Sequence, residues 1–278
     1  MKGTFSTLDP NAKIFSEIKN QQPKWWNLLC SDKVLYTHIR KDNYINVYYF
    51  GGSLARIDYK NGFVALTHQK YLGDATPRGK DKNGNDKFEY DPIGLTVLDK
   101  EMVARIKDRI KSDYLKHIDD EYPAEKWIQG RMINENPCYV DSEFQFNQDA
   151  EIGKLRIDLI ELSDGVLTFV ELKGISDSRL RNDVERNAKV PEIVYQMNKY
   201  KQFIAKYEAD ILGYYQRLLV IKKKLGLDSS EYVQLELNKI PKLVIADTYQ
   251  KLTKGREERI FEIKKLLDSH GIDYVITK

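Results

Sequence analysis

The sequence predicts an α/β protein preceded by a small, antiparallel, β-rich N-terminal region. Residues 34–72 are rich in Tyr, Val and Ile and are broken by Gly51-Gly52 and Lys60-Asn61-Gly62, the pattern of short strands joined by tight turns. From residue 123 onward, segments of helical spacing alternate with short apolar runs in the order α, β, β, β, α, β, α, β. Between these blocks, residues 73–94 combine Gly, Pro, Asn and alternating charge without apolar periodicity, as expected of an exposed loop at a domain boundary. The expected division is a β-rich region over 1–92, of unassigned role, and a larger domain over 93–278.

Each element has its own signal. A helix is expected near Asn11 to Asn20, with Trp25 and Trp26 packing it on the N-terminal sheet rather than holding a ligand. Met102, Val103, Ile106, Ile110 and Leu115 recur at helical spacing among charges, which predicts a surface helix over Leu98 to His117. Pro123 suits the start of the next helix, and Pro137 ends it before CYVDSEFQF begins a strand. KLRIDLIEL and VLTFVELKG read as two further strands. Pro191 opens a very long helix, with a bend expected near Gly213. KLVIAD is a short buried strand, KGREERIFEIKKLLDSHG a helix ended by Gly271, and IDYVIT a last strand.

Composition narrows the function classes. With 278 residues, 41% hydrophobic and 31% charged, the chain has the make-up of a soluble globular protein. Its formal charge of +3 is too small for a general polyanion field, so any nucleic-acid contact must be a local patch. No apolar leader and no run of about 18 apolar residues occurs, so no membrane partner is expected and the cytoplasm is the expected location. Cys30 and Cys138 lie far apart and the four histidines are scattered, which gives no zinc-site spacing. Phosphate-loop, dinucleotide-binding and serine-hydrolase motifs are all missing.

The segment RIDLIELSDGVLTFVELKG, Arg156 to Gly174, carries charge inside two apolar strands. Asp164-Gly165 is a preferred pair for a two-residue hairpin turn, because both positions need positive φ. Counting outward from Ser163 and Val166 puts Asp158 opposite Glu171 and Arg156 opposite Lys173. Directly opposed side chains lie about 4.5–5.5 Å apart at Cβ, and like charges so placed repel. The two carboxylates therefore need a counter-ion: Lys173, Arg156 or a divalent metal. Carboxylates with neighbouring carbonyls are hard oxygen donors, suited to Mg²⁺ or Mn²⁺ rather than zinc. The alternative is a salt-bridged sheet end with no metal. The triplet ExK also occurs at Glu17 to Lys19 and Glu262 to Lys264, both on expected helices, so strand context and the opposed acid distinguish Glu171 to Lys173.

These residues resemble the PD-(D/E)xK nuclease superfamily, over about Pro123 to Asp247. The likeness rests on Asp158, Glu171-Leu172-Lys173, the hairpin joining them, and Gln196 and Tyr200, which resemble the QxxxY element of RecB-like members. Gln196 and Tyr200 are four apart and share a helical face. Ile157 stands where the literal motif has proline. The resemblance implies a restriction-endonuclease-like αβββαβ core with a mixed central sheet flanked by helices. It also implies Mg²⁺-dependent hydrolysis of phosphodiester bonds, with DNA as the expected substrate. Asp158, Glu171 and the Leu172 carbonyl would hold the metal, and Lys173 would handle the attacking water. Gln196 and Tyr200 would steady Lys173 or a phosphate. Glu125 is placed like the family's helical glutamate, with Glu121 and Glu135 less well placed, and Glu143 is a further acid that would join the site if its face matched. Arg156, Arg179, Arg181, Arg186 and Lys189 are the expected backbone contacts to nucleic acid.

A competing reading makes the chain a binding module, with Tyr36, Tyr44, Tyr48, Tyr49 and Lys41 of the N-terminal sheet engaging nucleic acid or a protein. A homodimer seamed along the long helix after Pro191 is a third.

Overall fold

The computed structural model describes residues 4–73, 77, 79–80, 84, 86–87, 90–94, 97–114, 124–181, 190–228 and 234–278. Glu121, Pro123, Arg186 and Lys189, and ten residues of the loop expected over 73–94, lie outside the described residues. The chain forms two compact units, one from Met1–Lys116, Gly130–Glu135 and Tyr214–Glu231, the other from His117–Gln129, Asn136–Gly213 and Tyr232–Lys278. No described helix is long and apolar enough to cross a membrane.

The first unit is an antiparallel meander of β1 (Leu35–Ile39), β2 (Ile45–Tyr49), β3 (Gly52–Tyr59), β4 (Phe63–His68) and β5 (Tyr90–Ile93), in that order across the sheet. The β2–β3 turn is Phe50-Gly51, with φ of 42° and 83°, so both central residues take the left-handed conformation that a two-residue hairpin requires. α1 (Lys13–Gln21) and α2 (Lys24–Ser31) precede the sheet, and Trp25 on α2 meets Phe63 edge to face at 5.3 Å, the packing role expected of the tryptophan pair.

Two expectations about this region are corrected. Tyr90 to Ile93, placed in an exposed loop by sequence, pairs with β4 as the edge strand, the kind of strand that tolerates a proline such as Pro92. The helix α3 (Lys100–Tyr114), assigned by sequence to the larger domain, packs on β3, and Ile110 fills the space beside Gly52. The boundary at 92 therefore cuts through one packed unit.

The second unit contains α4 (Glu125–Glu135) in its first residues, then β6 (Tyr139–Phe146), β7 (Leu155–Ser163) and β8 (Val166–Gly174). α5 (Glu192–Lys224) follows, its residues up to Gly213 belonging to this unit, then β9 (Glu236–Leu237), β10 (Lys242–Ala246), α6 (Lys254–Ser269) and β11 (Tyr274–Thr277). The sheet is mixed. Its order is β11-β10-β8-β7-β6, with β6, β7 and β8 antiparallel in sequence, β10 and β11 parallel to β8, and β9 also beside β8. Asp164 (φ 50°) and Gly165 (φ 82°) form the two-residue turn, and the ladder runs from Ser163 opposite Val166 to Leu159 opposite Val170, the register expected from the turn residues.

Aromatic packing fixes α5 on this sheet. Phe203 lies 4.8 Å from Phe146 and 6.1 Å from both Phe144 and Phe169, ring centre to ring centre. The bend of α5 falls at Tyr207 (φ −120°, ψ 20°) rather than at Gly213. There the ring packs on Phe146 and the hydroxyl donates to Asp149 at 2.7 Å, so side-chain anchoring rather than a missing Cβ marks the break.

Besides Gly52 against Ile110, glycine marks a close approach of backbone to backbone in the first unit. A Cβ on Gly130 would come within 2.3 Å of the Phe50 backbone, which cannot give way as a side chain can. Gly130→Ala is expected to cost about 2 kcal/mol in urea unfolding. Gly255→Ala, on open α6, has nothing within 4 Å and is expected to be neutral or to stabilise by up to ~1 kcal/mol in the same measurement.

Candidate active site

The ladder between β7 and β8 stops at Leu159 and Val170, one residue short of the two acids. Beyond it the Asp158 carboxylate replaces a backbone acceptor, taking the Leu172 amide N–H on Oδ2 at 3.0 Å. On the other side, Glu143 falls opposite Asp158 between the paired residues Ser142–Leu159 and Phe144–Ile157, but its φ of 56° breaks the extended backbone there. The Asp158 carbonyl is instead met by the side-chain N–H of Gln129 at 2.7 Å, from the first unbroken turns of α4.

Asp158, Glu171 and Lys173 are 4%, 1% and 1% exposed, a burial that charged groups tolerate only when paired. Lys173 Nζ supplies the charge. It donates to Glu171 Oε1 and to the Leu172 carbonyl at 2.8 Å, and lies 3.7 Å from Asp158 Oδ2. One cation thus sits among three oxygens from three consecutive or cross-strand positions. Arg156, the other counter-ion considered from sequence, is half exposed and pairs with Glu143 at 3.4 Å rather than with either buried acid.

Glu171 is also held from α5. Gln196 Nε2 donates to Oε1 at 2.7 Å, and the Tyr200 hydroxyl lies 2.6 Å from Oε2 and 2.7 Å from the Arg156 carbonyl. Gln196 donates to that hydroxyl at 3.0 Å as well. The phenol accepts from Gln196 and has one proton to share between the Arg156 carbonyl and Glu171 Oε2, so it can support the charged form of the carboxyl. Burial nevertheless raises the Glu171 carboxyl well above the usual range; Lys173 partly offsets this and the Asp158 charge reinforces it. Burial and then the Glu171 charge push the Tyr200 phenol upward in turn.

A cavity of about 360 Å³ opens onto these groups. Asp158, Glu171 and Lys173 form its floor; Lys154, Arg156, Arg179 and Lys199 bring cations to its walls, and Glu125 and Glu192 bring carboxylates. Glu125 is where the sequence placed it, 3.9 Å from Arg179, with burial as the main cause of a raised pKa. Arg179 is committed to Asp177, through Nε at 2.9 Å and NH2 at 2.5 Å. Arg181 is exposed and does not line the cavity, and Glu135 ends α4 beside Arg131 in the other unit. Glu143 is absorbed by Lys126, Arg156 and Gln129, which together outweigh its burial and lower its pKa, so it does not join the cavity.

Gln129 is the residue that sequence reading missed. A buried amide on a helix matches no motif, and only the kink at Glu143 reveals why it is needed. The tyrosines of the N-terminal sheet are engaged internally: Tyr36 stacks on Tyr48 at 5.2 Å, Arg40 donates to the Tyr48 hydroxyl at 2.8 Å, and Arg56 covers the Tyr44 ring at 4.0 Å.

The donor set fits a hard divalent ion. Among the described residues no group of three or more His, Cys, Asp or Glu side chains is placed to hold a metal. Mg²⁺ nevertheless commonly uses one or two carboxylates and completes its shell with water and substrate oxygens, and Lys173 shows that these oxygens already converge on a cation. No family model matches the chain, and no curated protein or solved structure matches it.

The raised Glu171 pKa sets a sign for stability against pH. The folded state holds this proton above the ordinary carboxylate value of about 4.3, so the group's contribution is most favourable below that pH and is lost as pH rises through the folded pKa, at up to ~1.4 kcal/mol per unit. Tyr200→Phe removes a hydroxyl that favours the charged form. Urea unfolding in EDTA across pH 4–8 is expected to show the falling limb displaced to higher pH in this variant, with a loss of about 1 kcal/mol at neutral pH.

Proposed function

We propose that this chain is a divalent-metal-dependent phosphodiesterase with a restriction-endonuclease-like core, cleaving nucleic acid and in the first instance DNA. The observation that carries the proposal is the convergence of Asp158, Glu171, the Leu172 carbonyl and Lys173 Nζ at one point on the floor of a cation-walled cavity. The mixed sheet order, with three antiparallel strands followed by a parallel one after a long helix, supports the same class.

A divalent ion held by Asp158, Glu171 and the Leu172 carbonyl would lower the pKa of a bound water and polarise a phosphoryl oxygen. The chain's own residues do the rest. Gln196 and Tyr200 fix the Glu171 carboxylate so that one oxygen faces Lys173. Gln129 holds β7 where the Asp158 carboxylate reaches Leu172. Lys173 Nζ, in contact with the metal-facing oxygens, is placed to position a nucleophilic water and to balance charge on a phosphate. Lys154, Arg156 and Lys199 give the walls an attraction for the sugar-phosphate backbone that carries no sequence information.

A second reading follows from the same contacts: Lys173 simply neutralises two buried acids, and the chain is a non-catalytic scaffold. Cleavage separates them. Purified protein is expected to hydrolyse DNA with Mg²⁺ or Mn²⁺ and not with EDTA, and Lys173→Ala, Asp158→Ala and Glu171→Ala should each reduce turnover at least ~100-fold with the far-UV spectrum retained. Cleavage that survives all three substitutions places the chemistry elsewhere, and no cleavage of any nucleic acid favours the scaffold.

A further inference from the structure

The start of α5 lines the cavity with Glu192, Tyr195, Gln196, Lys199 and Tyr200, whose spacings of three, one, three and one trace a single helical face. Gln196 and Tyr200 are committed to Glu171. Tyr195 is different. Its side chain makes no hydrogen bond or ring contact among the described residues, and it is 52% exposed, one of the large apolar side chains left open to water. The ring therefore stands at the rim of a charged cavity with an uncovered face.

We infer that Tyr195 is the platform of a nucleobase subsite, and that the cavity accepts one nucleotide splayed out of a single strand or a frayed end. The inference rests on the phosphodiesterase reading and names its substrate class. Base faces are hidden in a duplex and open in a single strand, and an aromatic ring beside cations stacks on any of the bases. A volume of about 360 Å³ lies at the small end of ligand pockets, the scale of a single nucleotide and not of a duplex. Charge orients the guest. Glu192, one turn before Tyr195, repels phosphate, whereas Lys199, one turn after it, reaches the Lys154 carbonyl at 2.8 Å and draws the backbone toward that wall. The phosphodiester is then directed down to Asp158, Glu171 and Lys173 while the base remains on the rim.

The test is equilibrium binding, with Ca²⁺ as the divalent ion, of fluorescently labelled oligonucleotides to wild type, Tyr195→Ala and Tyr195→Phe. Three probes are used: a single strand, the same strand carrying one abasic position, and a closed hairpin duplex. Tyr195→Ala is expected to weaken single-strand binding about tenfold, with Tyr195→Phe restoring it. The abasic strand should bind wild type and Tyr195→Ala alike when the missing base is the one in the subsite, found by moving it along the strand. Equal single-strand affinity for wild type and Tyr195→Ala, no recovery with Phe, or an equal loss on the duplex each overturn the subsite. A wild type that binds none of the three probes overturns the phosphodiesterase reading as well, and the two failures are thereby distinguished.

Discussion

Asp158 and Glu171 are buried almost completely and brought to adjacent strands by a turn whose two residues both need positive φ. Two like charges in that position are unstable by themselves, and much of the surrounding structure offsets their repulsion. Lys173 provides the positive charge, the Leu172 amide and Gln196 provide donors, and Tyr200 links Glu171 to the backbone of the neighbouring strand. A sheet built only for stability would place leucine or valine at both positions, as it does at Leu159 and Val170. The repeated investment in a buried acid pair is a physical reason to regard this end of the sheet as a site.

The same constraint explains the irregularities nearby. The β7–β8 ladder ends where the acids begin, so that a carboxylate can take a backbone N–H, and β6 leaves the extended conformation at Glu143 opposite the same residue. Those two breaks would leave the Asp158 carbonyl without its ladder partner, and Gln129 supplies one. Lys126 and Arg156 then neutralise Glu143, which keeps a third carboxylate from adding to the repulsion around Asp158.

The parts of this arrangement that depend on local rules were legible in the sequence. Asp164-Gly165 dictated the turn, and the turn dictated the register up to Leu159 and Val170, next to the two acids. The four-residue spacing of Gln196 and Tyr200 placed both on one side of α5. What escaped depends on contacts distant in sequence. Gln129 serves a carbonyl 29 positions away, the bend of α5 is set by Tyr207 against Phe146 and Asp149, and α3 belongs with β3 through Ile110 and Gly52. Tyr90 to Ile93 carries a proline and few apolar neighbours, a pattern that marks a loop unless an edge strand is available to accept it.

The central claim is that the oxygens now gathered around Lys173 Nζ form a divalent-cation site. Anomalous diffraction from crystals soaked in saturating Mn²⁺ tests it directly. The account predicts a peak about 2.0–2.4 Å from the Asp158 and Glu171 carboxylates and the Leu172 carbonyl, with the Lys173 ammonium displaced toward the cavity. Mn²⁺ absent from that position, with Lys173 still seated between the two acids, would contradict it.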